Sequence, residues 1–257
     1  MVIDITFLKR IAEVAAEQTL PRFRTGSLVD NKYQTGFDPV TEADREAERA
    51  IRALINATFP EHGILGEEFG GENLDQPNIW VIDPIDGTRA FISGLPVWGT
   101  LAGLTVDGDA VAGLMSQPFT QELFMCDGDA SWYEGPEGTR RLQTRKTSEL
   151  ADATLFTTTP ALFKGTQREA YDRVESTVRL ARYGTDCYAY AMLASGFVDL
   201  VIETGLHPYD IVALVPIIEK AGGVITTWDG GPAEKAGDIV AAATPDLHAK
   251  ALAMLNR

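Results

Sequence analysis

Cysteine, histidine and basic residues are scarce in this sequence, and long apolar runs are missing. Only Cys126 and Cys187 occur, far apart and without C-x-x-C spacing, which argues against a zinc site or a redox dithiol. Both read as small buried hydrophobes. The three histidines, His62, His207 and His248, are scattered, so neither a His-rich transition-metal site nor a Ser-His-Asp arrangement suggests itself. No uninterrupted apolar stretch approaches the ~20 residues of a membrane helix. The first residues lack a basic segment followed by a long apolar one, so no signal peptide and a cytoplasmic location are expected. Lysine and arginine total 22 against 37 aspartates and glutamates, for a net charge of -15. That balance disfavours nucleic acid and anionic membranes as partners. It would also repel an anionic substrate, unless cations bound at the site reverse the local sign. The blander reading of the acidity is solubility.

What is present suits a soluble enzyme. The 257 residues can bury a real core, as one large domain or two modest ones. Helical spacing predicts a helix over 3–19, stopped by Pro21. Residues 25–40 read as irregular or hairpin. Thr41 is a candidate N-cap for a second helix ending at Pro60, with Asp44 placed as in a capping box. A strand is expected at 79–82 and a short helical turn at 89–92. A meander follows, with Asp-Gly turns at 107–109 and 127–129. Beyond residue 150 the pattern alternates: strand 154–158, helix 167–181, helix 186–195, strand 198–203, helix 209–221, strand 223–227, strand 238–243 and helix 245–256. The expected organisation is an N-terminal α+β half over 1–150 with an antiparallel sheet, and a layered α/β half over 151–257.

The most informative residues are Asp83-Pro84-Ile85-Asp86-Gly87-Thr88. Two carboxylates stand three apart at the end of a strand-like run. Crowded there, they repel each other and lose solvation, and a hard divalent cation with oxygen ligands is the simplest compensation. Two further acidic features are Gly66-Glu67-Glu68 and Pro208-Tyr209-Asp210, the latter opening an apolar helix before Gly222-Gly223. Each has a plainer reading. Asp210 and Asp44 suit helix starts as caps, and Glu67 and Glu68 suit a solvated surface.

Together, the strand-end D-P-x-D-G-T, the upstream G-E-E and the downstream Y-D before G-G resemble the inositol monophosphatase family. These are magnesium-dependent, lithium-sensitive sugar phosphatases, and the resemblance spans nearly the whole chain. It implies a layered α-β-α-β-α sandwich, a homodimer, and a small phosphate ester as substrate. It implies two or three Mg2+ ions, with Mn2+ as a substitute. By matching positions, it implies metal ligation by Glu67, Asp83, the Ile85 carbonyl, Asp86 and Asp210. Thr88 would orient the attacking water, with Asp44 as its acidic partner. The Gly87 and Thr88 amides would receive phosphate, and Glu203 would contact substrate.

The D-G-T-R-A-F-I-S-G form with W-G-T-L, and Gly184-Thr185-Asp186-Cys187-Tyr188-Ala189-Tyr190, resemble the histidinol-phosphate phosphatase branch. Thr-Asn-Phe, usual after D-G-T in inositol monophosphatases, is here Arg89-Ala90-Phe91. Histidinol phosphate carries an amine and an imidazole, which Asp186 and Glu203 suit as anionic partners. Asp186 also suits an N-cap for the 186–195 helix, and Arg89 either phosphate contact or a structural ion pair. Within the family, the alternatives are an inositol-1-phosphate or broad-specificity sugar phosphatase. Outside it, a haloacid dehalogenase would need its acids two residues apart, and a non-catalytic scaffold would be expected to lack a ligand or the threonine.

Overall fold

The first helix forms where helically spaced apolar residues follow a capping aspartate. In the computed structural model, which describes residues 3–25, 29–31 and 39–257, Asp4 accepts the Thr6 N–H at 2.9 Å and the helix Ile5–Thr19 begins. It buries Phe7, Leu8, Ile11, Ala12 and Ala15, and Pro21 lies in the short 3-10 turn that closes it. The second helix, Glu42–Thr58, starts at the expected capping box. The Thr41 hydroxyl accepts the Ala43 N–H, and the Asp44 carboxylate accepts the Thr41 N–H. From the 25–40 stretch, Val29–Asn31 pairs antiparallel with Pro39–Thr41; the rest of that expectation, at 26–28 and 32–38, lies outside the described residues.

An eight-stranded sheet runs in the spatial order Gly138–Arg141, Ser131–Gly135, Glu122–Cys126, Asp109–Gln117, Gly99–Val106, Asn78–Asp86, Gly63–Gly66 and Gly70–Glu72. The Gly63–Gly66 and Asn78–Asp86 strands are parallel; their neighbours are antiparallel. The expected turn at 107–109 forms, with Asp107 and Gly108 both at positive φ as a tight hairpin turn demands. A second sheet orders Leu180–Tyr183, Thr154–Thr157, Leu200–Leu206, Gly237–Ala242 and Val224–Thr227.

Among the described residues, three large apolar cores pack the five layers, the middle one filling both faces of the central helix layer. The two N-terminal helices pack on one face of the first sheet through Leu8, Ile11, Ile51, Trp80, Ile82 and Leu104. The helices Asp186–Ala194 and Leu214–Lys220 lie between the sheets, joining Met115 and Phe124 to Val201 and Ile239. Gly165–Glu175 and Pro245–Leu255 cover the outer face of the second sheet. The α-β-α-β-α expectation is met. No helix among the described residues is long and apolar enough to cross a membrane.

Two expected helices need correction. The one placed over 167–181 ends at Glu175, and 180–183 is an edge strand paired with Thr154–Thr157. Ser176 and Thr177 turn their hydroxyls onto the Arg173 and Val174 carbonyls, which competes with helix continuation. The helix placed over 209–221 is broken into Pro208–Ile211 and Leu214–Lys220. Pro216 has no N–H to offer the Val212 carbonyl. The break also docks on a notch: Gly103 and Gly113 are cross-strand partners, and a Cβ on either would collide with the Ala213 main chain. The notch brings the segment that follows Asp210 onto the first sheet.

Candidate active site

In a regular strand Asp83 and Asp86 would face opposite sides of the sheet. The pairing of Asn78–Asp86 with its neighbour slips register between these two residues, at Pro84 and Ile85. The irregularity lets both carboxylates converge. With Asp210 they form a cluster whose ligand oxygens all lie within 4.8 Å of one another. Burial, then Glu67, Asp86 and Asp210, push the Asp83 carboxyl well above its usual range. Burial, then Asp186 and Asp210, do the same to Asp86. Such crowding fits a site for a hard cation: the donors are all oxygen, and their repulsion is what bound positive charge would relieve. Asp210 also meets its helix-start reading, since its carboxylate accepts the His207 N–H at 2.7 Å.

Glu67 stands beside Asp83 and Asp44, raising the pKa of each. Its own amide donates to the Ile82 carbonyl at 3.1 Å. The loop after it is held by a residue that sequence reading passed over. Glu48, fully buried, accepts the Glu68 N–H at 2.7 Å and the Phe69 N–H at 3.3 Å, with Arg52 as its counter-charge at 2.8 Å. Gly66 carries no side chain because that carboxylate occupies the space.

Thr88 opens the short helix Thr88–Ile92 behind Gly87, which takes a left-handed φ of 81°. The Thr88 hydroxyl donates to the Ile85 carbonyl at 3.1 Å, and the Ile85 amide donates to Asp83 Oδ1 at 3.0 Å. The expected Asp44–Thr88 contact is not formed. Asp44 spends Oδ2 on the Thr41 amide and hydroxyl, and its Oδ1 is buried without a partner. Burial outweighs the Thr41 hydrogen bonds and raises this carboxyl to about 6.

A cavity of about 280 Å³ gathers Asp86, Gly87, Thr88, Arg89, Asp186, Glu203 and Asp210 along its wall; Glu67 and Asp83 are not part of its lining. Asp186 does not cap its helix: Thr185 holds the N-cap position, and the Cys187 amide donates instead to Asp86 Oδ2 at 2.7 Å. Asp186 sits at φ 42°, a costly conformation for a non-glycine residue. Its carboxylate packs against Gly87 and accepts the Thr158 hydroxyl at 3.3 Å. Burial raises its pKa, opposed by Thr158 and by the nearby Arg89 guanidinium. Glu203 accepts the Thr157 hydroxyl, the Thr158 hydroxyl and the Thr158 N–H. Thr158 therefore ties the two acids together, and no sequence motif marked it.

Burial lifts Glu203 from 4.5 to about 8 in spite of its Thr158 hydrogen bonds. The folded protein thus holds a proton there that the unfolded chain releases, so stability falls as pH rises from about 4.5 to about 8 and is level beyond. Glu203→Gln should flatten that fall, stabilising the metal-free protein at pH 9 by roughly 5 kcal/mol and by nothing at pH 4. Urea unfolding in chelator at the two pH values checks this; equal effects at both would refute it.

A profile of the inositol monophosphatase family matches residues 4–257. The chain is 41% identical to the bifunctional phosphatase IMPL2 of Arabidopsis thaliana, over 90% of this chain and 72% of that one. It is 34% identical to the histidinol-phosphatase of Mycobacterium tuberculosis, over 98% of each. Among solved structures, an inositol monophosphatase from Zymomonas mobilis superposes with a TM-score of 0.88 at 40% identity, covering 99% of this chain and 98% of that one. Fold, acid cluster and relatives agree: the chain belongs to the inositol monophosphatase family, as a phosphatase.

Proposed function

We propose that this phosphatase hydrolyses L-histidinol phosphate to L-histidinol and phosphate, using Mg2+. The observation that carries the reading is the acidic wall made by Asp186 and Glu203 beside the acid cluster. Glu203 would serve a polyol's hydroxyls as well, but Asp186 adds a second buried carboxylate whose charge a neutral polyol does not answer and an ammonium or imidazolium does.

In this reading Glu67, Asp83, the Ile85 carbonyl, Asp86 and Asp210 hold the ions. Bound magnesium supplies charge neutralisation and a water of lowered pKa. Thr88, released from the Ile85 carbonyl, orients that water. The Gly87 and Thr88 amides receive the phosphate, Gly87 allowing close approach, and Arg89 adds a positive charge on the same side. Asp44, with one oxygen free near Glu67, steadies the cluster from behind. The homodimer, the cytoplasmic location and a domain division near residue 150 belong to the same reading.

Comparing kcat/KM for L-histidinol phosphate and myo-inositol 1-phosphate is the direct test. Relatives named inositol monophosphatase reach 40% identity, so inositol phosphate is the competing substrate. A clear preference for it would sink the proposal. Asp186→Ala should cost histidinol phosphate about 10²-fold in kcat/KM, as loss of a buried charge partner does, and an aryl phosphate far less. Equal losses would reduce Asp186 to a structural role.

A further inference from the structure

Seven buried side-chain polar atoms have no hydrogen-bond partner among the described residues, and only one of them, the Tyr190 hydroxyl, belongs to a residue lining the cavity. Tyr190 is 3% exposed. It follows Asp186 by four residues in the helix Asp186–Ala194, and both residues line the same cavity. Burial and the negative charge of Glu203, Asp86 and Asp210 keep the phenol protonated. A buried hydroxyl without a partner costs about 1–3 kcal/mol, which a phenylalanine in the same space would avoid. The oxygen is therefore an unused acceptor, sited where Asp186 and Glu203 supply two others.

Resting on the proposed amine-bearing substrate, we propose that Tyr190 is a specificity residue. Its hydroxyl oxygen completes, with Asp186 and Glu203, a three-acceptor pocket for a primary ammonium on the leaving alcohol. An ammonium has three N–H donors and no acceptor, so it needs three partners converging from one side. Glu203 comes from a strand of the second sheet, Asp186 and Tyr190 from the helix between the sheets. Asp186 supplies charge, Glu203 gives up its proton as the ammonium arrives beside it, and the neutral Tyr190 oxygen supplies the third hydrogen bond without adding to the repulsion between the acids. A leaving alcohol without the amine leaves the Tyr190 oxygen unpaired and gains nothing from it.

The test uses one matched pair: L-histidinol phosphate and imidazolylpropyl phosphate, the same ester without its amine. The wild-type protein should favour the amine ester, and Tyr190→Phe should lower the ratio of the two kcat/KM values about tenfold, as expected for a hydrogen bond to a charged group. The loss should lie in KM, with kcat for the amine ester little changed. Tyr188→Phe, whose hydroxyl bonds Glu122 instead, should keep the wild-type ratio. An unchanged ratio in Tyr190→Phe overturns the inference, as does an equal loss on both esters. If the wild type prefers myo-inositol 1-phosphate to either ester, the proposed substrate fails. This inference then stands as long as the ratio still falls in Tyr190→Phe.

Discussion

Asp83→Asn should reduce phosphate-ester hydrolysis by about 10³-fold or more in kcat while raising the melting temperature of the metal-free protein. The two effects have one cause. Asp83 is 2% exposed and faces Glu67, Asp86 and Asp210, so without bound cations its charge is both desolvated and repelled. The amide keeps the shape and removes the charge. The metal-free fold then gains, by about 2 °C for each kcal/mol of relieved repulsion in a chain of this size, and the cluster loses a charged oxygen. Melting in chelator, melting with added magnesium, and single-turnover hydrolysis together check the claim. Magnesium should raise the melting temperature of the wild type and do little for the variant. A variant that still responds to magnesium and retains activity would remove Asp83 from the site.

Gly113→Ala should lower the melting temperature by roughly 5 °C, the scale of a core overpacking in a chain of this size. The added methyl falls on the Ala213 carbonyl, which is main chain and cannot rotate away. Gly103 faces it across the ladder, so the sheet has no slack on the neighbouring strand. The segment that must yield runs from the end of Pro208–Ile211 to the start of Leu214–Lys220, and Asp210 lies three residues before the clash. Variant protein that folds should therefore also bind magnesium more weakly. A melting temperature within a degree or two of wild type would mean the notch is loose, and would undo the account of how Asp210 is placed.

The parts of this protein that were legible in sequence are those with local causes. The capping box at Thr41 and Asp44 needs only four neighbouring residues. The hairpin at Asp107 and Gly108 needs only positive φ. The five layers follow from the alternation of strand-like and helix-like runs. The acid cluster was readable because its residues belong to motifs in a fixed order. What escaped has its cause elsewhere in the chain. The strand at 180–183 exists because Thr154–Thr157 offers it an edge. The helix break at 212–213 answers two glycines about a hundred residues upstream. Glu48 looks like any helix-surface acid until the 68–69 amides meet it, and Thr158 matters only because Asp186 and Glu203 arrive on either side of it. Asp44 shows the same limit in reverse: the resemblance pairs it with Thr88, but the structure gives it the local partner Thr41 while the Thr88 hydroxyl turns to the Ile85 carbonyl.

Asp86 belongs to both ends of the site. Its carboxylate stands in the acid cluster, and it also accepts the Cys187 amide at the start of the helix that carries Asp186 and Tyr190. On the proposed reading, occupancy at one end would be felt at the other, and thermodynamics would make the exchange symmetric: whatever factor an amine-bearing alcohol adds to the affinity for a divalent ion, the ion adds to the affinity for that alcohol. Release of the alcohol would accordingly loosen the ion's hold, tying the end of each turnover to the readiness of the centre for the next.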